Sequence, residues 1–320
     1  MKQVLLIDTM HPVFSEALSE AGFELVDGTS WNRNEILSRI NKFEGAVIRS
    51  RISIDKDFMD AATNLKFIAR AGAGMESIDV LYAEKKNILC LNSPEGNRDA
   101  VAEHALGMLL SLMNKLNKAD HEVRNHQWIR EANRGTELVG KKVGIIGFGN
   151  TGEAFARRLA GFNVTVLVFD KYRKISNNEF ADLVQVHMEK LLEEADIVSL
   201  HVPLTAETEY LVNDSFIKGF KKNIYLINTS RGKVVNTVHL VQAIKSGKIT
   251  GACLDVNEYE DSSFEKSSIG ASPASIPDAW KYLLNSDKVI LTPHIAGWTH
   301  ESLRKIAEVL AGKIKKAYTD

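Results

Sequence analysis

Three glycines at fixed spacing follow an apolar run in the middle of the chain. They form the segment Gly147-Phe-Gly149-Asn-Thr-Gly152, which fits the pattern G-x-G-x-x-G. The run Lys142–Ile146 leads into this pattern as a strand, and Glu153–Leu159 leaves it as a helix. The first glycine permits a tight turn, the second lets the backbone approach a pyrophosphate, and the third lets helix and strand pack closely. The pattern therefore predicts a dinucleotide-binding site.

An acidic residue stands at the end of the next predicted strand. The run Val164–Phe169 is followed by Asp170, 18 residues after the last glycine of the motif. Its carboxylate is expected to accept hydrogen bonds from the adenosine ribose hydroxyls and to repel a 2′-phosphate. This favours NAD over NADP as the cofactor. Lys171 and Arg173 follow at once and weaken the preference without reversing it.

The elements that must position such a site alternate along the whole chain. Short apolar runs read as buried strands and are separated by helical patterns, which predicts βαβ units and parallel sheets. The predicted strands are Val4–Ile7, Ala46–Ile48, Phe67–Ala69, Val143–Ile146, Val164–Phe169, Ile197–Leu200, Ile224–Ile227 and Val289–Leu291. The predicted crossover helices include Phe14–Glu20, Glu153–Ala160 and Val238–Lys245. The Ser/Pro-rich segment Ser262–Pro277 is expected to be a surface loop.

Two further segments predict longer helices, and a third predicts an arm. Ala100–Met113 is apolar on nearly every face, so we expect it to be buried on all sides. Leu303–Ala317 carries an apolar stripe opposite Lys and Glu residues. The stripe consists of Leu303, Ile306, Ala307, Leu310, Ile314 and Ala317. Asn117–Glu137 is mostly polar and is interpreted as an arm that packs on a partner subunit.

Composition narrows the class of protein. The chain has 320 residues, 44% of them hydrophobic and 25% charged, as in an ordinary globular protein of about two domains. A net charge of −1 argues against nucleic-acid binding and against a membrane surface. The N-terminal run ends at Asp8 and predicts a strand, not a signal peptide. Cys90 and Cys253 predict two buried, inert thiols with no metal-ligand spacing, as in a soluble cytoplasmic protein.

Seven segments, in order along the chain, resemble the D-isomer-specific 2-hydroxyacid dehydrogenases. They include the glycine motif already described and cover roughly residues 45–300. The other six are Arg70–Asp79, Asn92–Asn97 with Val101–Glu103, His201–Leu204, Asn228–Gly232, Leu254–Val256 with Glu260, and Thr292–Gly297. The resemblance implies an α/β fold of two Rossmann-like domains. One would be a flavodoxin-like substrate domain from residues 1–98 and 294–320, and the other a doubly wound NAD-binding sheet from residues 99–293.

The resemblance places a catalytic trio on Arg231, Glu260 and His294. An imidazole can take the hydroxyl proton of a 2-hydroxy acid and return it in the reverse direction. A neighbouring carboxylate favours the imidazolium and orients the ring. A guanidinium binds the substrate carboxylate through two hydrogen bonds and polarises the adjacent carbonyl. Glu258 or Asp261 could be mistaken for the carboxylate, because both lie close to Glu260 in the sequence.

The resemblance also implies a set of binding residues. The cofactor residues are Gly147, Gly149, Asn150, Thr151, Gly152, Asp170, His201, Val202, Pro203, Thr229, Ser230, Asp255 and Gly297. Within this set, Asp255 would contact the nicotinamide carboxamide. The backbone amides of Gly72, Ala73 and Gly74 would hold the substrate carboxylate. No metal is implied.

The substrate is the least determined of these expectations. The chain resembles most the short-form phosphoglycerate dehydrogenases of the family, which stop before any regulatory domain and act in serine biosynthesis. Arg49 and Arg70 match positions that face the substrate phosphate, with Arg51 as a third candidate. The same arginines would also suit surface ion pairs. Two alternatives therefore stay open, a glyoxylate or hydroxypyruvate reductase of broad specificity and an NAD-sensing binding protein. A homodimer is implied as well.

Overall fold

The computed structural model describes residues 2–175, 183–260 and 276–319, and it divides the chain into two compact α/β units. Unit 1 contains the residues up to Arg98 and those from Trp298 onward. Of the described residues, unit 2 contains 99–260 and 276–297. Each unit is built on one parallel sheet. The predicted fold class, two α/β units with Rossmann-like parallel sheets, is confirmed.

Unit 1 is a five-stranded parallel sheet in the order β2-β1-β3-β4-β5. This is the order of flavodoxin-like folds. Its strands are β1 (Lys2–Leu6), β2 (Phe23–Asp27), β3 (Gly45–Ile48), β4 (Phe67–Arg70) and β5 (Leu89–Asn92). Its helices are α1 (Pro12–Glu20), α2 (Arg33–Leu37), α3 (Lys56–Ala61), α4 (Val80–Lys85), the start of α5 (Pro94–Met113) and α12 (His300–Thr319).

Alternation along the strands of unit 1 produces a core on each face of the sheet. Ala46 and Ile48 point into one apolar cluster, and Val47 points into the other. Helices α1 and α12 cover the second cluster, where Phe14 lies with Ile306 and Leu310. The predicted stripe of α12 is thus buried at its centre, while Leu303 is half-buried and Ala317 is exposed.

Unit 2 is a seven-stranded parallel sheet in the order β12-β11-β10-β9-β6-β7-β8. Its strands are β6 (Lys142–Ile146), β7 (Thr165–Phe169), β8 (Leu183–Gln185), β9 (Ile197–Leu200), β10 (Ile224–Asn228), β11 (Ile249–Leu254) and β12 (Val289–Leu291). Beyond the rest of α5, its helices are α6 (Leu116–Arg124), α7 (Asn150–Leu159), α8 (Met188–Glu194), α9 (Asp214–Gly219), α10 (Thr237–Lys245) and α11 (Asp278–Leu284). Apolar clusters cover both faces, as expected for a parallel sheet.

Four strands escaped the sequence prediction. Three of them, β2, β5 and β8, are edge strands in which most side chains are half-buried or exposed, so their pattern is weaker than that of a strand buried on both faces. The fourth, β11, is interior but carries a glycine. A Cβ at Gly251 would lie 3.0 Å from the carbonyl oxygen of Lys288, so the lack of a side chain eases the close approach of the residue before β12. The presence of the glycine obscured a buried strand.

Helix α5 corrects the expectation that Ala100–Met113 is buried on all sides. Ala102, Ala105 and Leu109 pack into the core of unit 2, but Glu103 and Gly107 are exposed. These two residues are four apart, so they form one stripe along the helix. The stripe faces away from the sheet, since the core of unit 2 covers only the opposite side.

The predicted boundary between the domains also shifts. Residues 294–297 were expected in the substrate domain, but they belong to unit 2. The backbone N–H groups of His294, Ile295 and Ala296 all donate to Asp255, which follows β11 of the same unit. Of the predicted loop Ser262–Pro277, residues 262–275 lie outside the described residues. No helix in the described part of the chain is long and apolar enough to cross a membrane.

Candidate active site

The glycine loop of unit 2 has the geometry that its sequence predicts. Gly147 follows β6 with φ of +90°, a conformation that side chains disfavour. A Cβ on Gly147 would lie 2.5 Å from the carbonyl oxygen of His201. A Cβ on Gly152 would lie 2.1 Å from the carbonyl oxygen of Gly147. Both positions therefore need glycine for the close approach of α7 to the strands.

The middle glycine has a different environment. Gly149 is the N-cap of α7, and a Cβ there would meet no atom within 4 Å. Asn150 and Thr151 open the helix, so their amides lie at its positive end. Thr229 supplies a buried hydroxyl oxygen without a hydrogen-bond partner in the described structure. An open N-terminus and an unpaired buried hydroxyl both fit a bound dinucleotide.

Asp170 follows β7 and lies beside the glycine loop. Its Oδ2 accepts a hydrogen bond of 2.7 Å from the amide of Phe148. Its Oδ1 accepts from the amides of Tyr172 and Arg173, at 2.9 and 2.8 Å. Partial burial raises the pKa of Asp170, but these three hydrogen bonds outweigh it and hold the pKa below its usual value. Asp170 is therefore an anion at neutral pH.

The segment after β9 packs against the glycine loop. His201 is buried, its ring packs on Phe155, and its Nε2 lies 2.8 Å from Oγ of Ser199. Burial lowers the pKa of His201 to about 3, so the ring is neutral. Val202 is half-buried in the apolar cluster, whereas Pro203 is exposed. Among the predicted cofactor residues, His201 thus has a side chain that serves the packing of unit 2.

The predicted catalytic trio follows three neighbouring strands. Arg231 comes after β10, Glu260 after β11 and His294 after β12. These strands pair side by side in parallel, so their carboxyl ends lie at one edge of the sheet. Ligands of open α/β sheets bind at this edge. All three residues belong to unit 2.

Glu260 and His294 are in direct contact. Oε2 of Glu260 lies 2.9 Å from Nδ1 of His294, and both side chains are mostly buried. The other oxygen, Oε1, accepts a hydrogen bond of 2.8 Å from the amide of Asn257. The carboxylate is thus fixed at one end and orients the imidazole at the other. Because Nδ1 contacts Glu260, the predicted proton transfer is expected at Nε2 of His294.

The neighbouring acid has a separate task. Oε2 of Glu258 accepts a hydrogen bond of 2.7 Å from the amide of Thr237, the first residue of α10. Glu258 therefore caps a helix, which separates it from the histidine pair. Asp261, the other alternative, lies outside the described residues. The geometry favours Glu260 over Glu258.

Arg231 is held by residues that sequence reasoning did not select for this purpose. The amide of the fully buried Asn228 donates to the carbonyl oxygen of Arg231 at 2.9 Å. Its oxygen accepts from both the amide and the hydroxyl of Ser230. A Cβ on Gly232 would lie 1.9 Å from the carbonyl oxygen of Asn257, so the arginine loop packs directly against the turn that carries Glu260.

Asp255, the predicted nicotinamide contact, is buried and hydrogen-bonded to the segment that carries His294. It is 1% exposed, and Oδ1 accepts hydrogen bonds from the hydroxyl of Thr292 and the amide of Ile295, at 2.6 and 2.8 Å. Oδ2 accepts from the amide of Ala296 at 2.9 Å. This carboxylate anchors the loop in which His294 has φ of +55°. The hydrogen bonds to Asp255 thus stabilise a strained backbone conformation at His294, a predicted catalytic residue.

The arginines of unit 1 have distinct environments. Arg49 follows β3, and its guanidinium lies 4.2 Å from the ring centre of Trp298, a side chain that is 62% exposed. Arg51 instead donates to the carbonyl oxygens of Ile7, Gly28 and Trp31. Because these bonds occupy its guanidinium, Arg51 is a structural residue. It is the weakest of the three phosphate candidates.

Arg70 ends β4 and folds over the loop that follows it. Gly72 has φ of +143°, and a Cβ there would lie 1.6 Å from a guanidinium nitrogen of Arg70. The amide of Gly72 donates to the carbonyl oxygen of Arg70 and to the buried hydroxyl of Ser93. Asn92 holds the carbonyl oxygen of Ala73 at 2.7 Å. The Gly72 amide is thus already hydrogen-bonded within unit 1. Of the three amides predicted to bind the substrate carboxylate, we therefore retain those of Ala73 and Gly74.

A glycine loop before a helix, an acid after the next strand and a mostly buried carboxylate–histidine pair are the features expected of the NAD-dependent dehydrogenases. Residues 106–296 match the NAD-binding domain of the D-isomer-specific 2-hydroxyacid dehydrogenases. The chain belongs to this family, as the sequence motifs predicted. NAD is accordingly its cofactor.

Characterised relatives carry several names. The chain is 39% identical to a glyoxylate reductase of Thermofilum pendens, over 88% of this chain and 80% of that protein. It is 34% identical to a D-3-phosphoglycerate dehydrogenase of Archaeoglobus fulgidus, over 95% of this chain and 55% of that one. The chain thus spans about half the length of the phosphoglycerate dehydrogenases that it matches. A solved D-lactate dehydrogenase from Aquifex aeolicus, complexed with NAD and lactic acid, is 30% identical with a TM-score of 0.81 and covers 99% of this chain and 95% of that one.

Proposed function

We propose that this chain interconverts D-3-phosphoglycerate and 3-phosphohydroxypyruvate with NAD, the first step of serine biosynthesis. One observation carries the choice of a phosphorylated substrate. Ile48 and Arg70 are partners in the register of β3 and β4, and Arg49 is the residue directly after β3. Two guanidiniums therefore leave neighbouring strands at the carboxyl edge of the unit 1 sheet, where a phosphate dianion would need fixed cations.

The residues of unit 2 account for the chemistry. When bound, NAD accepts the hydride that leaves C2 of the hydroxy acid. Nε2 of His294 takes the hydroxyl proton in this direction and returns it to the carbonyl oxygen in reverse. Glu260 holds the ring and stabilises the imidazolium that forms. Arg231 binds the substrate carboxylate and polarises the adjacent carbonyl. In unit 1, the amides of Ala73 and Gly74 remain the groups that the sequence predicts for carboxylate binding.

The first experiment compares three substrates. NADH oxidation at 340 nm is measured in parallel with phosphohydroxypyruvate, hydroxypyruvate and glyoxylate. We expect kcat/KM to favour the phosphorylated substrate at least about 100-fold, equivalent to roughly 2.7 kcal/mol. Arg49→Gln should remove most of this preference and leave glyoxylate reduction within about threefold of wild type.

Arg39→Gln is the matched control for that variant. Arg39 also stacks on a tryptophan in unit 1, with its guanidinium 4.5 Å from the ring centre of Trp31. It follows no strand end, so its substitution should leave the preference unchanged. Equal loss of preference in both variants would contradict a specific role for Arg49.

A second candidate is a glyoxylate or hydroxypyruvate reductase of broad specificity. It is supported by the glyoxylate reductase of Thermofilum pendens, of which the chain spans 80% at 39% identity. Comparable rates on the three substrates would establish this reading and remove the phosphate role of Arg49. NADH binding without turnover of any of them would indicate an NAD-sensing protein instead.

We also propose a homodimer. Helix α6 and the segment that follows it expose four apolar side chains in the single chain. They are Leu116, Val123, Trp128 and Ile129. Exposed apolar clusters of this kind mark association surfaces. Sedimentation velocity at micromolar concentration should give a dimer, and a monomer would contradict the proposal.

A further inference from the structure

The turn after β7 carries two cations beside an anion. Asp170 is anchored by backbone amides on both of its oxygens, and Lys171 and Arg173 flank it. In Rossmann folds a carboxylate at this position binds the ribose 2′-hydroxyl of NAD, whereas a nearby cation accommodates the 2′-phosphate of NADP. The sequence of this turn therefore combines the features of both cofactor types. The contacts of the two cations distinguish between them.

Lys171 is held by Glu207. Its Nζ lies 2.7 and 2.8 Å from the two oxygens of that carboxylate. The hydroxyl of Tyr172 donates to Glu207 at 3.0 Å, so the carboxylate is oriented from two sides. Glu207 lies in the segment after β9, separate in sequence from the turn.

Arg173 is held by Glu153. Its Nη1 lies 2.8 Å from Oε2 of Glu153, in the first turn of α7. The same guanidinium donates to the carbonyl oxygen of Phe148 and stacks on its ring, 5.2 Å from the ring centre. Each cation of the turn is thus paired with a carboxylate from another segment of unit 2.

We propose that Glu207 and Glu153 are specificity-determining residues, which keep the site selective for NAD by holding Lys171 and Arg173 away from a 2′-phosphate. The phosphate dianion of NADP would meet the charge of Asp170 and two cations that are each already paired with a carboxylate, one of which, Glu153, also pairs with Arg157. The ribose hydroxyl of NAD is uncharged, so it does not need a cation for binding. The inference depends on the cofactor of the family and not on the identity of the hydroxy acid.

Glu207→Gln tests this most directly, because the hydrogen bonds of Glu207 in the described structure go to Lys171 and Tyr172 and not to the glycine loop. The dissociation constants of NADH and NADPH are measured by isothermal titration calorimetry on wild type and variant. We expect NADPH binding to tighten about fivefold, the size of one exposed charge interaction. The affinity for NADH should stay within about twofold.

Three further variants make the result specific. Glu209→Gln removes the same charge from an exposed glutamate two residues along the segment and should leave the ratio of the two constants unchanged. Adding Lys171→Ala to Glu207→Gln should abolish the gain. Glu153→Gln should also shift the ratio of the two dissociation constants toward NADPH. Because it removes a negative charge near the predicted pyrophosphate site, this variant can also bind both cofactors more tightly. An unchanged ratio in Glu207→Gln, or the same shift in Glu209→Gln, would overturn the proposal.

Discussion

At the scale of single residues, two acids two positions apart have different partners. Glu260 contacts Nδ1 of His294, and Glu258 caps α10 through the amide of Thr237. Local sequence offers no basis for this division, since both acids lie in the segment Asn-Glu-Tyr-Glu. The turn at Asn257 makes the difference, because its amide binds Glu260 and leaves Glu258 directed at the helix.

Glu260→Gln should therefore lower kcat about 100-fold or more, because an amide neither stabilises the imidazolium nor fixes the correct tautomer. Affinity for NADH, measured by calorimetry, should change little. Glu258→Gln is the charge-matched control and should retain nearly full activity, since its amide oxygen can still accept from Thr237. Equal losses in the two variants would contradict the assignment of the carboxylate to Glu260.

At the scale of elements, the close approach of α7 to the strands depends on one missing side chain. Gly152 sits where a Cβ would be 2.1 Å from the carbonyl oxygen of Gly147. Backbone atoms cannot yield as a flexible side chain can, so the helix must move. Its N-terminus, which faces the predicted pyrophosphate site, moves with it.

Gly152→Ala should weaken NADH binding at least about tenfold and lower the free energy of unfolding by about 2 kcal/mol, through overpacking. Calorimetry and urea denaturation measure the two effects. Gly312→Ala is the control, because Gly312 lies inside α12 with no atom within 4 Å of its added Cβ. That change should raise stability by about 0.5–1 kcal/mol. Unchanged NADH affinity in Gly152→Ala would contradict the role of the loop.

At the scale of the whole molecule, the two units divide the predicted roles. The trio and the dinucleotide loop belong to unit 2, and the arginines proposed for the phosphate belong to unit 1. Unit 2 also buries a titratable group, since burial lowers the pKa of His201 to about 3. A buried neutral histidine links folding to pH.

The sign of this linkage is definite. Between about pH 6.5 and 3 the unfolded chain protonates this histidine and the folded chain does not, so stability falls as the pH falls. From pH 7.5 to 5.0 the loss is about 2 kcal/mol. Urea denaturation at the two pH values should show this loss, and His201→Gln should lack this part of the pH dependence. An equal pH dependence in the variant would contradict the buried, neutral ring.

Features set by spacing along the chain were accessible without a structure. The glycine motif, the interior strands other than β11 and the positions of Arg231 and His294 after strands are of this kind, because backbone geometry ties them to local pattern. Side-chain partners depended on long-range packing. The division between Glu258 and Glu260, the anchoring role of Asp255, the engaged Gly72 amide and the structural bonds of Arg51 each involve segments far apart in sequence. Only the folded sheets bring those segments within hydrogen-bonding distance.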